Sequence, residues 1–226
     1  MKISAASIKT NLSESDYQFF LSLVHEEKKR RILKFRFQQD ALRSLTGELL
    51  LRYQLKTLYG IDNYEIDIGI NGKPLLRDQP NIYFNISHSG DWAVCVVGDC
   101  ENGIDIECVS NGKSLTDMRS IEQYYMADDE IRNVRNLQKN QMLEEYVHYW
   151  TMKEAFVKCV GGGISMLKSN KYSLCGNQTL EYNNIRYFFK ELAFPKDYKL
   201  AICMRKHILN PDIEYFNTEQ FKESFQ

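Results

Sequence analysis

Apolar and polar positions divide this chain into alternating stretches of strand and helix. Ile3 to Ile8 reads as a first strand. A helix follows, capped by Ser13 or Ser15, with Glu14 and Asp16 in its first turn and Phe19, Phe20, Leu23 and Val24 as its apolar stripe. Asp40 begins a longer helix, in which Leu42, Leu45, Leu49 and Tyr53 recur at helical spacing. Gly47 inside it points to close packing, and Gly60 ends it. Tyr64 to Ile70 alternates with period two, and Asn71-Gly72 is a tight turn continued by Lys73-Pro74. Asp78-Gln79-Pro80-Asn81 is another turn. Ile82 to Ser87, Trp92 to Gly98 and Gly103 to Cys108 then predict three consecutive strands.

Ser110-Asn111-Gly112-Lys113 breaks that pattern, and helices return. One is predicted over Leu115 to Tyr125. A second is capped by Asp128 and holds Asp129 and Glu130. The third and clearest runs from Met142 to Val160 and is stopped by Gly161-Gly162-Gly163. Short strands follow at Tyr172 to Cys175, Thr179 to Tyr182, Arg186 to Leu192 and Lys199 to Met204, with a turn at Pro195-Lys196-Asp197. The polar tail, Asp212 to Phe225, is expected on the surface. Helices then strands, twice over, predict an α+β protein of two similar lobes, residues 1–102 and 103–226, with a cleft between them.

Composition narrows the class. The 226 residues are 43% hydrophobic and 26% charged, enough for a sizeable core. A net charge of −1 argues against a general nucleic-acid binder. No apolar run is long enough to span a bilayer, and Met1 to Asn11 lacks the plan of a signal peptide. The six cysteines form no Cys-x-x-Cys pair and read as reduced thiols of a cytoplasmic protein. The four histidines have no zinc-ligand spacing.

Two stretches carry candidate chemistry. In Gly103-Ile104-Asp105-Ile106-Glu107, alternation puts both carboxylates on one strand face and both isoleucines on the other. Adjacent carboxylates without a lysine between them suit a hard divalent cation such as magnesium. A lone Asp-x-Glu is more often a solvated strand face. In Trp150-Thr151-Met152-Lys153-Glu154-Ala155-Phe156-Val157-Lys158, residues 150, 154 and 158 share one helix face. Taken alone, Glu154 and Lys158 are an ordinary ion pair. The run Glu26-Glu27-Lys28-Lys29-Arg30-Arg31 is a solvated helix face or an anion grip.

Taken together, Asn85-Ile86-Ser87-His88-Ser89, the Asp105/Glu107 strand and the Trp150 to Lys158 helix resemble the three-part signature of the 4'-phosphopantetheinyl transferases. Order and spacing resemble the large, pseudo-dimeric class that activates peptide synthetases such as surfactin synthetase. Asn71-Gly72-Lys73-Pro74 resembles that class's Gly-Lys-Pro turn. The similarity spans roughly residues 26–167. It implies transfer of the phosphopantetheine arm of coenzyme A to a serine of an apo acyl or peptidyl carrier protein, with release of adenosine 3',5'-bisphosphate. It implies Mg²⁺ held by Asp105, Glu107 and Glu154, catalytic roles for Glu154, Lys158 and Asp105, and a phosphate contact from Lys158. Whether Glu154 binds the metal, takes the serine proton or does both stays open, because a carboxylate engaged by a cation is a poor base.

The resemblance further implies that Lys28, Arg31 and His88 grip the coenzyme A 3'-phosphate, with Arg43, Lys73, Pro74 and Ser87 also at the coenzyme. It places Asp129 where relatives carry a glutamate. With the apolar residues Leu115, Met118, Ile121, Tyr124, Tyr125 and Met126 and the cations Lys113 and Arg119, the segment Leu115 to Met126 is the expected carrier-docking helix, as the resemblance also implies; the alternative is an amphipathic helix packed on its own core. A monomer is expected, with no nucleic-acid or membrane partner. Two other readings stay open: a non-catalytic coenzyme A- or carrier-binding module, and a Mg²⁺-dependent phosphohydrolase. Fatty acid, polyketide and peptide synthetase carriers are all candidate acceptors.

Overall fold

Two 22-residue helices organise the molecule, and each stops at a glycine in the left-handed region: Gly60 at φ 68° and Gly161 at φ 75°. The computed structural model describes residues 1–7, 12–69, 71–110, 112–163, 165–169, 172–176, 178–207 and 211–225. Ile8, Ile70, Asn111 and Lys171, which fall in or beside expected elements, lie outside the described residues. The first lobe runs β1 (Lys2–Ser7), α1 (Glu14–Ser22), α2 (Glu26–Ile32), α3 (Gln38–Tyr59), β2 (Ile66–Ile68), β3 (Pro74–Leu76), β4 (Tyr83–Ser89) and β5 (Trp92–Gly98). The second runs β6 (Asn102–Cys108), α4 (Leu115–Tyr125), α5 (Asp128–Arg135), α6 (Lys139–Val160), α7 (Ser165–Ser169), β7 (Thr179–Tyr182), β8 (Ile185–Leu192) and β9 (Tyr198–Met204). The chain ends with β10 (Ile213–Phe216) and α8 (Thr218–Glu223).

The sheets have orders β10-β1-β5-β4 and β6-β9-β8-β7, and β2–β3 is a separate hairpin. Alternation in β5 sends Ala93, Cys95 and Val97 toward α3. Val94 and Val96 face the other way, into a core shared with Ile104, Ile106, Leu200 and Ile202 of the second sheet. Ala201 and Cys203 of β9 turn outward to α6. The layers are therefore helix, sheet, sheet, helix, the two-lobe α+β arrangement expected. Ile104 and Ile106 are in the core, as the strand reading required.

Close backbone approach holds the long helices down. A Cβ on Gly47 would stand 2.6 Å from Ile86 Cγ2, which accounts for a glycine within α3. At Gly103 a Cβ would meet Ala155 O at 2.1 Å and Cys159 N at 2.3 Å. Both are backbone atoms of α6, so any side chain there would push the helix off the strand that carries Asp105.

Ser13 is the α1 cap, accepting from Asp16 N at 3.1 Å. Other expectations are corrected. The cap position of α5 is Ala127, whose N–H is taken by Glu130 Oε2 at 2.8 Å; Asp128 is inside the helix. Tyr172 to Cys175 is not a strand. Its backbone is claimed by side chains instead: Glu130 Oε1 accepts from Leu174 N at 2.7 Å, and Lys153 Nζ donates to Tyr172 O at 2.5 Å. The tail, expected on the surface, is partly built into the core. β10 pairs in parallel with β1, and Phe216 and Phe221 enter the core beneath α3.

Candidate active site

β4 and β6 meet edge to edge at the lobe junction, and side chains replace the missing ladder. Asn85 Oδ1 accepts from Ile104 N at 2.9 Å, Ser87 Oγ from Ile106 N at 3.3 Å and Ser89 Oγ from Cys108 N at 3.0 Å. The alternation Asn-x-Ser-x-Ser thus satisfies three backbone donors of an otherwise open edge. Each serine then donates its own proton to a carboxylate: Ser87 to Asp105 Oδ1 at 2.8 Å, Ser89 to Glu107 Oε2 at 2.9 Å. Ser87, expected at the coenzyme, is first of all an orienting group for Asp105.

The paired carboxylates face α6. Asp105 is nearly inaccessible, and Lys158 Nζ lies 2.6 Å from its Oδ1. Glu154 and Lys158 are therefore not the local ion pair that their spacing offers; Lys158 reaches across to β6. Glu107 Oε1 accepts from Trp150 Nε1 at 3.0 Å, and Oε2 also takes Lys113 Nζ at 2.7 Å. Burial pushes the Asp105 carboxyl above its ordinary range, against the pull of Lys158. Glu154 is pushed up to about 7 by burial and then by the charge of Asp105, with Lys158 opposing. Lys153, between these residues in sequence, points away into the protein. There it forms a buried pair with Glu130 at 2.8 Å. Glu130 also anchors α5 by accepting from Ala127 N, and Asp129, which the resemblance sets where relatives carry a glutamate, accepts from Ser173 Oγ at 2.5 Å.

A cleft of about 860 Å³ opens above these groups. Asp105, Glu107, Glu154, Lys158, Ser87, His88, Pro74, Lys28 and Arg31 all line it. Trp150 also lines it, as do residues to which the sequence reading gave no site role: His25, Ser44, Glu48, Tyr64, Ile66 and Ile68. Glu48 is buried, accepts from Tyr64 OH at 2.7 Å, and lies 3.5 Å from Lys28 Nζ. A carboxylate set in the apolar stripe of α3 was the available signal for it. His88 opens toward the cleft; desolvation, then the charges of Lys158 and Arg43, hold its imidazole below the usual pKa. An arriving phosphate would reverse that balance.

Two residues expected at the coenzyme, Arg43 and Lys73, have protein partners of their own. Arg43 is not among the cleft-lining residues: its Nε donates to Gly90 O at 2.9 Å and its Nη1 to Asp40 at 2.7 Å, so it braces the β4–β5 turn. Lys73 turns away from the cleft to backbone carbonyls of the second lobe.

Among the described residues, no three histidine, cysteine or carboxylate side chains converge as a ready-made metal shell. Two buried oxygens, Asp105 Oδ2 and Glu154 Oε1, have no hydrogen-bond partner. Burial drives both carboxyls toward protonation, helped by the charge of Glu107 at Asp105 and of Asp105 at Glu154. An oxygen-only donor set with unpaired lone pairs and excess negative charge fits a hard divalent cation.

Comparison with known proteins adds two family matches. The model described as "4'-phosphopantetheinyl transferase, N-terminal" matches residues 11–100, and that of the "4'-phosphopantetheinyl transferase superfamily" matches 101–203. A Bacillus subtilis 4'-phosphopantetheinyl transferase is 31% identical over 90% of this chain and 92% of its own length. The Bacillus pumilus enzyme psf-1 is 33% identical over 85% of this chain and 84% of its own. The enzyme Sfp of Bacillus subtilis strain 168 is 28% identical over 97% and 99%.

Proposed function

This chain belongs to the 4'-phosphopantetheinyl transferase family, in the Sfp class, and we propose that it moves the phosphopantetheine arm of coenzyme A onto a serine of an apo acyl or peptidyl carrier protein. The reaction we propose is Mg²⁺-dependent and releases adenosine 3',5'-bisphosphate. The observation that carries this reading is the single cleft that joins cations of α2 to the carboxylates of β6 and α6. Lys28 and Arg31 from α2, with His88 from β4, suit the 3'-phosphate end of the donor. Asp105 and Glu154, with Glu107, would hold Mg²⁺, which supplies charge neutralisation at the pyrophosphate. Lys158 holds Asp105 in place and can pass to a phosphate oxygen. Glu154, poised near neutral pH in the absence of a cation, suits acceptance of the serine proton only while Asp105 and Glu107 carry the metal, because a carboxylate engaged by a cation is a poor base. Equal amounts of adenosine 3',5'-bisphosphate released and carrier consumed, measured by chromatography, support the reading. Phosphate release with the carrier unchanged would favour a phosphohydrolase.

No helix among the described residues is long and apolar enough to cross a membrane, and all six cysteines are free. These facts are compatible with the cytoplasmic location we propose.

We propose α4 as the carrier-docking surface, through Ile121 and Tyr124 among the residues expected there. Met118, Tyr125 and Met126 are buried in the core with α6, so Met118 cannot contact a partner. Arg119 donates to Met142 Sδ at 3.3 Å. Ile121 and Tyr124 are 37% and 48% exposed, and Lys168 Nζ sits 5.3 Å from the Tyr124 ring. An aromatic and an aliphatic side chain beside a cation fit an acidic helical carrier. Ile121→Glu with Tyr124→Glu is expected to raise the carrier KM about tenfold. The coenzyme A KM and the Tm should stay unchanged. An unaltered carrier KM would remove α4 from the docking surface.

A further inference from the structure

The β2–β3 hairpin belongs to neither four-stranded sheet, yet Ile66, Ile68, Gly72 and Pro74 make one wall of the cleft. Its tether to the second lobe is Lys73. The ammonium donates to Asn102 O at 2.8 Å and to Cys159 O at 2.6 Å. Asn102 opens β6, three residues before Asp105. Cys159 is in the last turn of α6, one residue after Lys158. A carbonyl in that turn has no partner within its own helix and sits at the negative end of the helix dipole, so a cation is stabilised there. The backbones are also close. A Cβ on Gly161 would stand 3.1 Å from Lys73 Cβ and 3.5 Å from Asn71 Cβ. Burial keeps the Lys73 pKa below its usual value, so the charge is retained at a cost.

We propose that Lys73 is a positioning residue: it fastens the nucleotide-side wall of the cleft to the start of β6 and the end of α6. The hairpin that would cover the donor and the two elements that carry Asp105, Glu154 and Lys158 then keep one fixed relation. A phosphate ligand would instead direct its ammonium at the donor. The proposal rests on the reading of the cleft as the coenzyme A site.

Lys73→Met keeps the length and removes the charge, and Lys73→Arg keeps the charge. Loss of two charge-assisted bonds should raise the KM for coenzyme A about tenfold, and that for 3'-dephospho-coenzyme A by the same factor. kcat should fall by less. Amide exchange over residues 71–76 should quicken, and Lys73→Arg should recover most of the loss. A KM penalty confined to the donor with a 3'-phosphate would overturn the proposal, as would unchanged KM and exchange. If Lys73→Met does not fold, exchange in the wild type decides. Coenzyme A should slow the hairpin amides and the last turn of α6 together, and slowing of one alone would overturn the coupling. A wild type that binds no coenzyme A by calorimetry overturns the cleft assignment itself, a result told apart by needing no variant.

Discussion

Glu154→Gln is expected to abolish transfer and, in metal-free buffer at pH 8, to raise the Tm. Both effects have one cause. Glu154 has a buried oxygen without a partner and shares its surroundings with Asp105 and Glu107, so its folded pKa is pushed from 4.5 to about 7. The folded protein therefore holds this proton up to about pH 7, whereas the unfolded chain releases it near 4.5. Between those values the folded state binds more protons, so stability falls as pH rises through the window. Because the side chain is partly solvated, the cost above pH 7 is on the order of 2 kcal/mol. Glutamine removes that cost, and a protein of this size should gain roughly 4–8 °C in Tm at pH 8. Near pH 4.5 the two proteins should melt together. If Glu154 is the proposed proton acceptor, its loss should lower kcat by about 10²–10⁴-fold. An equal Tm difference at both pH values would remove the strained carboxylate from the account.

Asp105→Ala should also stop transfer, with little change in fold stability. The side chain is buried with Oδ2 unpaired, so its removal relieves one desolvated charge while leaving the Ser87 hydroxyl without its acceptor and Lys158 with Ser87 Oγ in place of a carboxylate. These effects oppose each other, and Lys158 is accessible enough to turn to solvent. Its catalytic effect has no such offset. If Asp105 holds the proposed metal, losing the charge stabilisation that metal would supply should cost several kcal/mol, about a 10³-fold or greater loss of kcat. The rise in Tm on adding Mg²⁺ to the wild type should vanish in the variant. Activity within tenfold of wild type at saturating Mg²⁺, or an unchanged Mg²⁺ response, would exclude Asp105 as a ligand.

What could be read in advance depended on local rules. Strand alternation placed Ile104 and Ile106 in the core and Asp105 and Glu107 together. Glycine chemistry ended α3 and α6 at the right residues, and α4 has the predicted bounds. Long-range partners were not legible. The short apolar run in β10 is paired by β1, more than 200 residues away in sequence, and nothing near it announces the match. Helical periodicity showed which residues of α4 share a face but not which face is inward, so Met118 was placed outside. The serines of β4 carry no mark that they face a strand edge rather than a phosphate. The motif resemblance puts Lys73 at the coenzyme, and the carbonyls its side chain binds become its neighbours only when the two lobes pack together.

The central claim is a covalent one: this cleft joins the phosphopantetheine arm of coenzyme A to a carrier serine. It is tested most directly by the intact mass of purified apo carrier proteins after incubation with the wild type, coenzyme A and Mg²⁺. The account predicts a gain of one phosphopantetheine arm, located to the serine by fragmentation and lost with Glu154→Gln. Carriers of unchanged mass, in the presence of an enzyme that binds coenzyme A, would contradict it.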